Sequence, residues 1–380
     1  MSQWNIRWLE KAILKTDHLD KDQVIAAVGE ALNRGATNVN VAKEGAAAAT
    51  LKPPYGIICR AFQEGNVVPF LGAGASFLAR PNPTEKWTVT SNFPPSSLEL
   101  SRFLAQEAEM EEIEDYEDLA RAASYYVEVS NDADSLKQEL RTIFSRPSEP
   151  SDMHKLLADL PRPMLVVTTN YDTLTEDAFK KAGREYDVVI HTTDPRSLGF
   201  VALRKYGHDS CMVPTKDLGE KINLKSRTVI YKMHGSVDTI TEWNSLVITE
   251  EDYVDFLSRM NSSPPVIPPV FTEHFDSRTF LFLGYGLRDW NLRVVVKNLS
   301  RVRPSITYVR NKPAIDFGES SQTEMEQAEP KNEKKHWAIQ FHPALVEQAL
   351  WDARDVRIFN VHLNDFAARL REKFFPPVAQ

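Results

Sequence analysis

Residues 67–81 read VVPFLGAGASFLARP. An apolar run of strand composition enters a Gly-Ala-Gly turn and leaves through small, helix-compatible residues. A buried strand turning on glycine into a helix is the opening unit of a parallel α/β sheet. The pattern returns at 279–299, TFLFLGYGLRDWNLRVVVKNL. Between and beyond these lie short apolar runs that read as strands: PMLVVTTN (163–170), YDVVIH (186–191), RTVIYKMHGS (227–236), SITYVRN (305–311) and VRIFNVH (356–362). SLVITEEDYVDFLSRM (245–260) reads as a strand passing into a helix. Helical stretches are expected over 97–110, 115–129, 133–144, 151–161, 171–183 and 365–375. The expected fold is α/β: a Rossmann-like, mostly parallel sheet covered by helices on both faces, with a helical insertion over about 96–160.

Residues 1–50 are expected to form a helical appendage, with Trp4, Trp8, Leu9, Ala12 and Ile13 on one face. Such a face packs either on its own domain or on a second subunit, as in a homo-oligomer. The body of the protein is then 51–380. PNPTEKWTVTSNFPPSS (81–97) is rich in breakers and reads as a long loop beside the first glycine turn, in the position of a lid. KPAIDFGESSQTEMEQAEPKNEKKH (312–336) is charge-dense and poor in apolar residues, and is expected to be a flexible surface insertion.

Of 380 residues, 42% are apolar and 26% charged, the balance of an ordinary globular protein. No run of about 18 apolar residues is present, so no membrane span is expected. The first residues lack the features of a signal peptide, and a cytoplasmic location is expected. Cys59 and Cys211 are the only cysteines; they cannot make a four-thiolate site, and no zinc is expected. The net charge of −8 argues against strong intrinsic nucleic-acid binding but not against a small nucleotide, which backbone amides can hold.

Four strand exits carry candidate chemistry. Gly72 and Gly74 allow the close approach that a diphosphate needs, and equally suit a tight turn with no ligand. The dehydrogenase fingerprint is incomplete, because Phe77 stands where its third glycine belongs. Asn170, past the second strand with Thr169, can hold a ribose hydroxyl or a water; Asp172 can orient Asn170 or cap the following helix. Of nine histidines, His234 combines a strand end with a following glycine, and suits proton transfer or a hydrogen bond to a sugar hydroxyl, or a structural place. Gly284, Tyr285 and Gly286 form the fourth exit, able to approach a ribose, and Asn311 ends a further strand.

Taken in order, GAGAS (72–76), TTNYD (168–172), HGS (234–236) and GYG (284–286) resemble the sirtuin-like family, particularly its bacterial antiphage-defence branch. The resemblance covers roughly 55–375. It implies NAD as substrate, with Gly72, Ala73, Gly74, Ser76, Thr169, Gly284, Tyr285, Gly286 and Asn311 binding it and Asn170, His234 and Asp172 at the reacting sugar. Two departures matter. The zinc cysteines of deacylating sirtuins are missing. Where those enzymes carry Gly-Ile-Pro-Asp-Phe-Arg, this chain reads FLARPNPTEKW, with Trp87 expected near the pocket. The resemblance thus implies hydrolysis of NAD to nicotinamide and ADP-ribose rather than lysine deacylation. It also implies a separate regulatory partner such as a HerA-type ATPase. Two other readings remain: a non-catalytic NAD or ADP-ribose sensor, and a structural subunit of a DNA-processing complex.

Overall fold

The computed structural model describes residues 51–82, 84–110, 117–237, 246–260, 264–286 and 336–376. The N-terminal appendage, the strand expected at SITYVRN with Asn311, and nearly all of the expected insertion at 312–336 lie outside the described residues.

The chain enters through α1 (Tyr55–Glu64) and strand β1 (Val67–Leu71), then the one-turn helix α2 (Ala73–Phe77). Three helices follow, α3 (Ser97–Glu107), α4 (Leu119–Ser130) and α5 (Ala133–Phe144). Next come α6 (Asp152–Asp159), β2 (Leu165–Thr168), α7 (Leu174–Lys181) and β3 (Tyr186–His191). A hairpin, β4 (Phe200–Arg204) and β5 (Ser210–Pro214), leads through α8 (Leu218–Lys221) to β6 (Thr228–Lys232). The remainder comprises α9 (Glu250–Arg259), α10 (Pro269–Ser277), β7 (Thr279–Leu283), β8 (His336–Gln340), α11 (Leu345–Asp352), β9 (Val356–Asn360) and α12 (Leu363–Phe374).

Among the described residues the strands form one sheet in the order β5-β4-β3-β6-β2-β1-β7-β8-β9. Every pairing from β3 across to β9 is parallel; only β3–β4 and β4–β5 are antiparallel. Buried parallel strands need cover on both sides, and alternate residues supply the two faces. Val68, Phe70, Val229, Tyr231, Phe280 and Phe282 join one core with Phe256 of α9, Phe271 and Phe275 of α10 and Trp351 of α11. Val67, Leu71, Val166, Ile230, Leu281 and Leu283 join the other, beneath α1, α6, α7 and α12. The α/β expectation therefore holds, with a mostly parallel sheet covered on both faces.

One local reading is corrected, and two strand regions were not read from the sequence. The segment 246–249 is not a strand: Leu246, Val247 and Ile248 are buried, and Val247 N–H donates to the His234 carbonyl at 3.1 Å. Asp252 Oδ2 takes the Ile248 and Thr249 amides instead, as the capping box of α9. The strand beside β7 is β8, whose sequence HWAIQ opens on the last residue of the expected insertion. The β4–β5 hairpin was not legible as strands.

The helices α3, α4 and α5 have a core of their own, which reaches Tyr171, Val237, Leu246 and Ile248. These are residues just past the carboxyl ends of β2 and β6. The inserted helices thus roof the edge of the sheet where ligands of open α/β sheets bind. α6, within the expected insertion, instead packs on the sheet with α7 and α12.

Candidate functional site

β6, β2, β1 and β7 are consecutive in the sheet and carry, in that order, the HGS, TTNYD, GAGAS and GYG exits. Connections leave β1 toward β2 on one side and β7 toward β8 on the other. The crevice between β1 and β7 is therefore the topological switch point.

The two glycine turns lock into each other there. Gly72 N–H donates to the Leu283 carbonyl at 2.9 Å and Gly74 N–H to the Gly284 carbonyl at 2.7 Å. A Cβ on Gly74 would lie 2.7 Å from the Gly284 oxygen, and one on Gly72 2.9 Å from the Tyr285 ring. Close packing of backbone on backbone thus accounts for both glycines, without a ligand. Ala75 N–H also bonds inward, to the Gly72 carbonyl at 2.9 Å. Two of the four amides between Ala73 and Ser76 are therefore engaged within the protein.

Asn170 sits 8% exposed at the exit of β2. Its Nδ2 donates to the Gly72 carbonyl at 3.0 Å and to Ser76 Oγ at 2.8 Å, clamping the first glycine turn to β2. Among the described residues no hydrogen bond engages its Oδ1. The expected Asp172–Asn170 contact is not what orients the amide: Asp172 Oδ1 accepts from Leu174 N–H at 3.0 Å, at the start of α7. Thr169 Oγ1 donates to Tyr285 Oη at 3.2 Å, tying the second exit to the fourth.

His234, 6% exposed, lies past the end of β6 with its ring edge-on to Tyr253 and Phe256 of α9, at 5.4 and 5.5 Å. Among the described residues no hydrogen bond engages its ring nitrogens. Burial pushes its pKa down from 6.5 to about 3, so the ring is neutral at physiological pH. A neutral imidazole keeps one ring nitrogen able to accept a hydrogen bond, while burial disfavours the cation that taking a proton would form.

Asn170 and His234 line one cavity of about 120 Å³, with Ala73, Ser76, Thr169, Asp172 and Tyr285. That volume is close to the ~150 Å³ known to take a single benzene-sized ring. Pro94, Pro95 and Ser96 of the long loop close one side, and Leu100, Leu119 and Phe144 of the inserted helices another. The loop is stapled by Arg80, whose guanidinium makes two bonds to Glu99, at 2.7 and 3.0 Å. Burial alone would raise the Glu99 pKa, but hydrogen bonds from Arg80, Trp87 N–H and Ser96 bring it down to about 2.

The other expected residues are placed less centrally. Gly286 is exposed, and neither it nor Gly284 lines the cavity; the Gly284 backbone packs on the first glycine turn. Trp87 packs edge-on against Phe103 at 5.6 Å, away from the cavity wall. Sequence reasoning missed Tyr253, which no strand-end motif announces. It also passed over His191, which ends β3 much as His234 follows β6. His191 is buried against Phe256 at 5.2 Å, and among the described residues neither ring nitrogen has a hydrogen-bond partner. Among the described residues no three His, Cys, Asp or Glu side chains gather as a metal site, and no helix is long and apolar enough to cross a membrane.

Burial also lowers His191 to about 3 and His154 to about 4. An unfolded chain protonates such rings near pH 6.5, whereas the folded protein does so only near their depressed values. Their contribution to stability is therefore complete above about pH 6.5 and lost as the pH falls toward 4 and then 3. Each uncompensated proton costs about 1.4 kcal/mol per pH unit. Urea midpoints at pH 7.5, 6 and 5 are expected to fall steadily, and less steeply in His191→Phe.

Comparison with known proteins agrees with this geometry. Residues 164–342 match the SIR2-like domain. The chain is 28% identical over 246 residues to the NAD(+) hydrolase ThsA of Acinetobacter baumannii (strain 532279), covering 65% of this chain and 41% of that protein. It is 32% identical over 187 residues to ThsA of Bacillus cereus (strain MSX-D12), covering 49% and 32%. To Defense-associated sirtuin 2 of Bacillus subtilis it is 25% identical over 134 residues, covering 35% and 10%. The chain thus spans about two fifths of the length of the ThsA relative from Acinetobacter. The domain match begins just before β2, yet β1 and its glycine turn lie at the centre of the same sheet. Four motif-bearing strands stand side by side, and three of their exits, TTNYD, HGS and GYG, fall within the residues, 164–342, that are similar to a SIR2-like domain.

Proposed function

We propose that the protein hydrolyses NAD at the nicotinamide–ribose bond and acts in antiphage defence by depleting NAD. The observation that carries this reading is the meeting of Asn170 and His234 at one cavity, each with an acceptor atom that no hydrogen bond among the described residues engages. The names of the ThsA relatives point the same way.

The reaction suits such a site. The C–N bond breaks with its electron pair going to nicotinamide, which departs neutral from a cationic ring. Water adds to the anomeric carbon and releases its proton, giving ADP-ribose. The transition state is oxocarbenium-like and needs positioned dipoles rather than a strong nucleophile. Asn170 Oδ1 would accept from the attacking water or a ribose hydroxyl. The neutral His234 ring would accept from a hydroxyl of the same ribose and raise electron density on the sugar. Asp172 would act through the helix start that it caps. The diphosphate would lie along the Ala73–Ser76 turn, where among the described residues only the Gly74 amide is tied to the second glycine turn, and Thr169, Tyr285 and Asn311 would complete the dinucleotide contacts.

Restraint of so costly an activity would fall to assembly: a homo-oligomer and a separate partner of the HerA-type ATPase class, with a cytoplasmic location.

The test is release of nicotinamide from NAD by the full chain, with and without proteins encoded beside it. His234→Ala is expected to lower kcat on the order of 10²-fold. Release unchanged in that variant would remove His234 from the reaction. Binding of NAD with no release under any of these conditions would select the sensor reading.

A further inference from the structure

Behind the cavity wall lies a buried ion pair that the reaction as written does not use. Lys232, the last residue of β6, is fully buried, and Glu176, in the first turn of α7, is 3% exposed. Lys232 Nζ lies 3.1 Å from Glu176 Oε1 and also donates to the backbone carbonyl of Asp172. Its neighbour across the sheet is Thr168, the last residue of β2.

Placing two opposite charges in a protein interior is costly, and apolar residues of similar volume commonly serve stability as well or better. A buried pair is better understood by what it holds in register. Here one ammonium reaches three elements. It stands two residues before His234. It holds the turn two residues after Asn170. It neutralises the helix that Asp172 starts. Backbone bonds already join the two exits at the Thr168 and Tyr171 carbonyls, which accept from Met233 and Val237 at 2.9 and 3.1 Å. The Asp172 carbonyl is the next along this path, and Lys232 supplies its donor.

We propose that Lys232 is a positioning residue: by binding the Asp172 carbonyl and Glu176 together, it sets the distance between the Asn170 amide and the His234 ring. This rests on the proposed NAD hydrolysis for its kinetic consequence, but not for its structural one. Misplacement of a reacting group by about 1 Å is enough to lower a rate on the order of 10²-fold.

Lys232→Met alone leaves Glu176 buried without its cation and is expected to unfold readily, so the informative variant is Lys232→Met/Glu176→Leu. With both charges gone, its thermal midpoint is expected to stay within a few degrees of wild type. Two readouts are then taken on the full chain. In nicotinamide release, kcat is expected to fall about 10²-fold with KM changed less than about threefold. In hydrogen exchange, the amides of Tyr171 to Thr175 are expected to exchange faster while β2 and β6 stay protected. A folded double variant with wild-type exchange over Tyr171–Thr175 overturns the proposal, whatever its activity. Faster exchange with unchanged kcat overturns the link to the reacting side chains. If wild type releases no nicotinamide, NAD hydrolysis fails as a reading, and the exchange measurement alone decides whether Lys232 holds the turn.

Discussion

Asn170→Ala is expected to lower nicotinamide release from NAD by about 10²–10³-fold, the loss usual for one positioned group at a developing charge. Two effects combine. The substitution deletes Oδ1, the acceptor proposed for water or ribose hydroxyl. It also deletes both donors that clamp the Gly72 carbonyl and Ser76 Oγ, so the first glycine turn loses its tie to β2. Asn170→Asp separates these effects. It keeps an acceptor oxygen but sets a carboxylate oxygen against the Gly72 carbonyl, where an amide donated. If the clamp matters as much as the acceptor, the Asp variant loses NAD affinity as well as rate. Calorimetric titration with NAD beside the release assay distinguishes the two. Wild-type rates in both variants would leave Asn170 a structural clamp only.

The second large effect is on folding. Gly284→Ala is expected to abolish the stable fold, because Gly284 has a φ of +74° and an added Cβ would lie 2.1 Å from the Ala75 nitrogen. Neither turn can retreat: each is hydrogen-bonded to the other and continues a central parallel strand. The cost is a strained backbone angle together with a clash against main chain, which places it beyond about 4 kcal/mol. Gly286→Ala is the control. Its Cβ meets nothing within 4 Å among the described residues, and its urea midpoint is expected to stay within about 0.5 kcal/mol of wild type. A soluble Gly284→Ala protein with an unchanged midpoint would mean that the two turns are not in contact.

These glycines show where reading from sequence meets its limit. Gly-x-Gly after an apolar run says that backbone must come close to something. It does not say whether the visitor is a phosphate or another glycine turn more than 200 residues away. Here it is the other turn, and the same packing engages the Gly74 amide, one of those expected to face a diphosphate. Asp172 poses a similar problem. Its spacing allowed both a cap and a hold on Asn170, each two residues away, and the bond that forms is the one to Leu174 N–H at the start of α7.

Strands also differed in legibility. β1, β2, β3, β6, β7 and β9 are runs of β-branched and aromatic residues that mark themselves. β4 (FVALR) and β5 (SCMVP) carry few β-branched residues and are flanked by polar ones, and they take strand form in pairing with β3 and each other. SLVIT has strand composition, but Leu246 and Ile248 join the core of the inserted helices while Val247 joins the core of the sheet. Tyr253 and His191 escaped notice because what brings them near His234 is the packing of α9 over β3 and β6.

By itself the amino-acid order determined the class of fold, the four strand exits and the side chains at them, because strand period, glycine and cap preferences act within a few residues. Only the tertiary structure decided that those exits are neighbours, since strand order depends on long-range pairing that no local pattern encodes. It also decided that His234 is neutral, that Asn170 clamps a turn, and that Lys232 joins the two, because burial and through-space contact exist only once the sheet has closed around them.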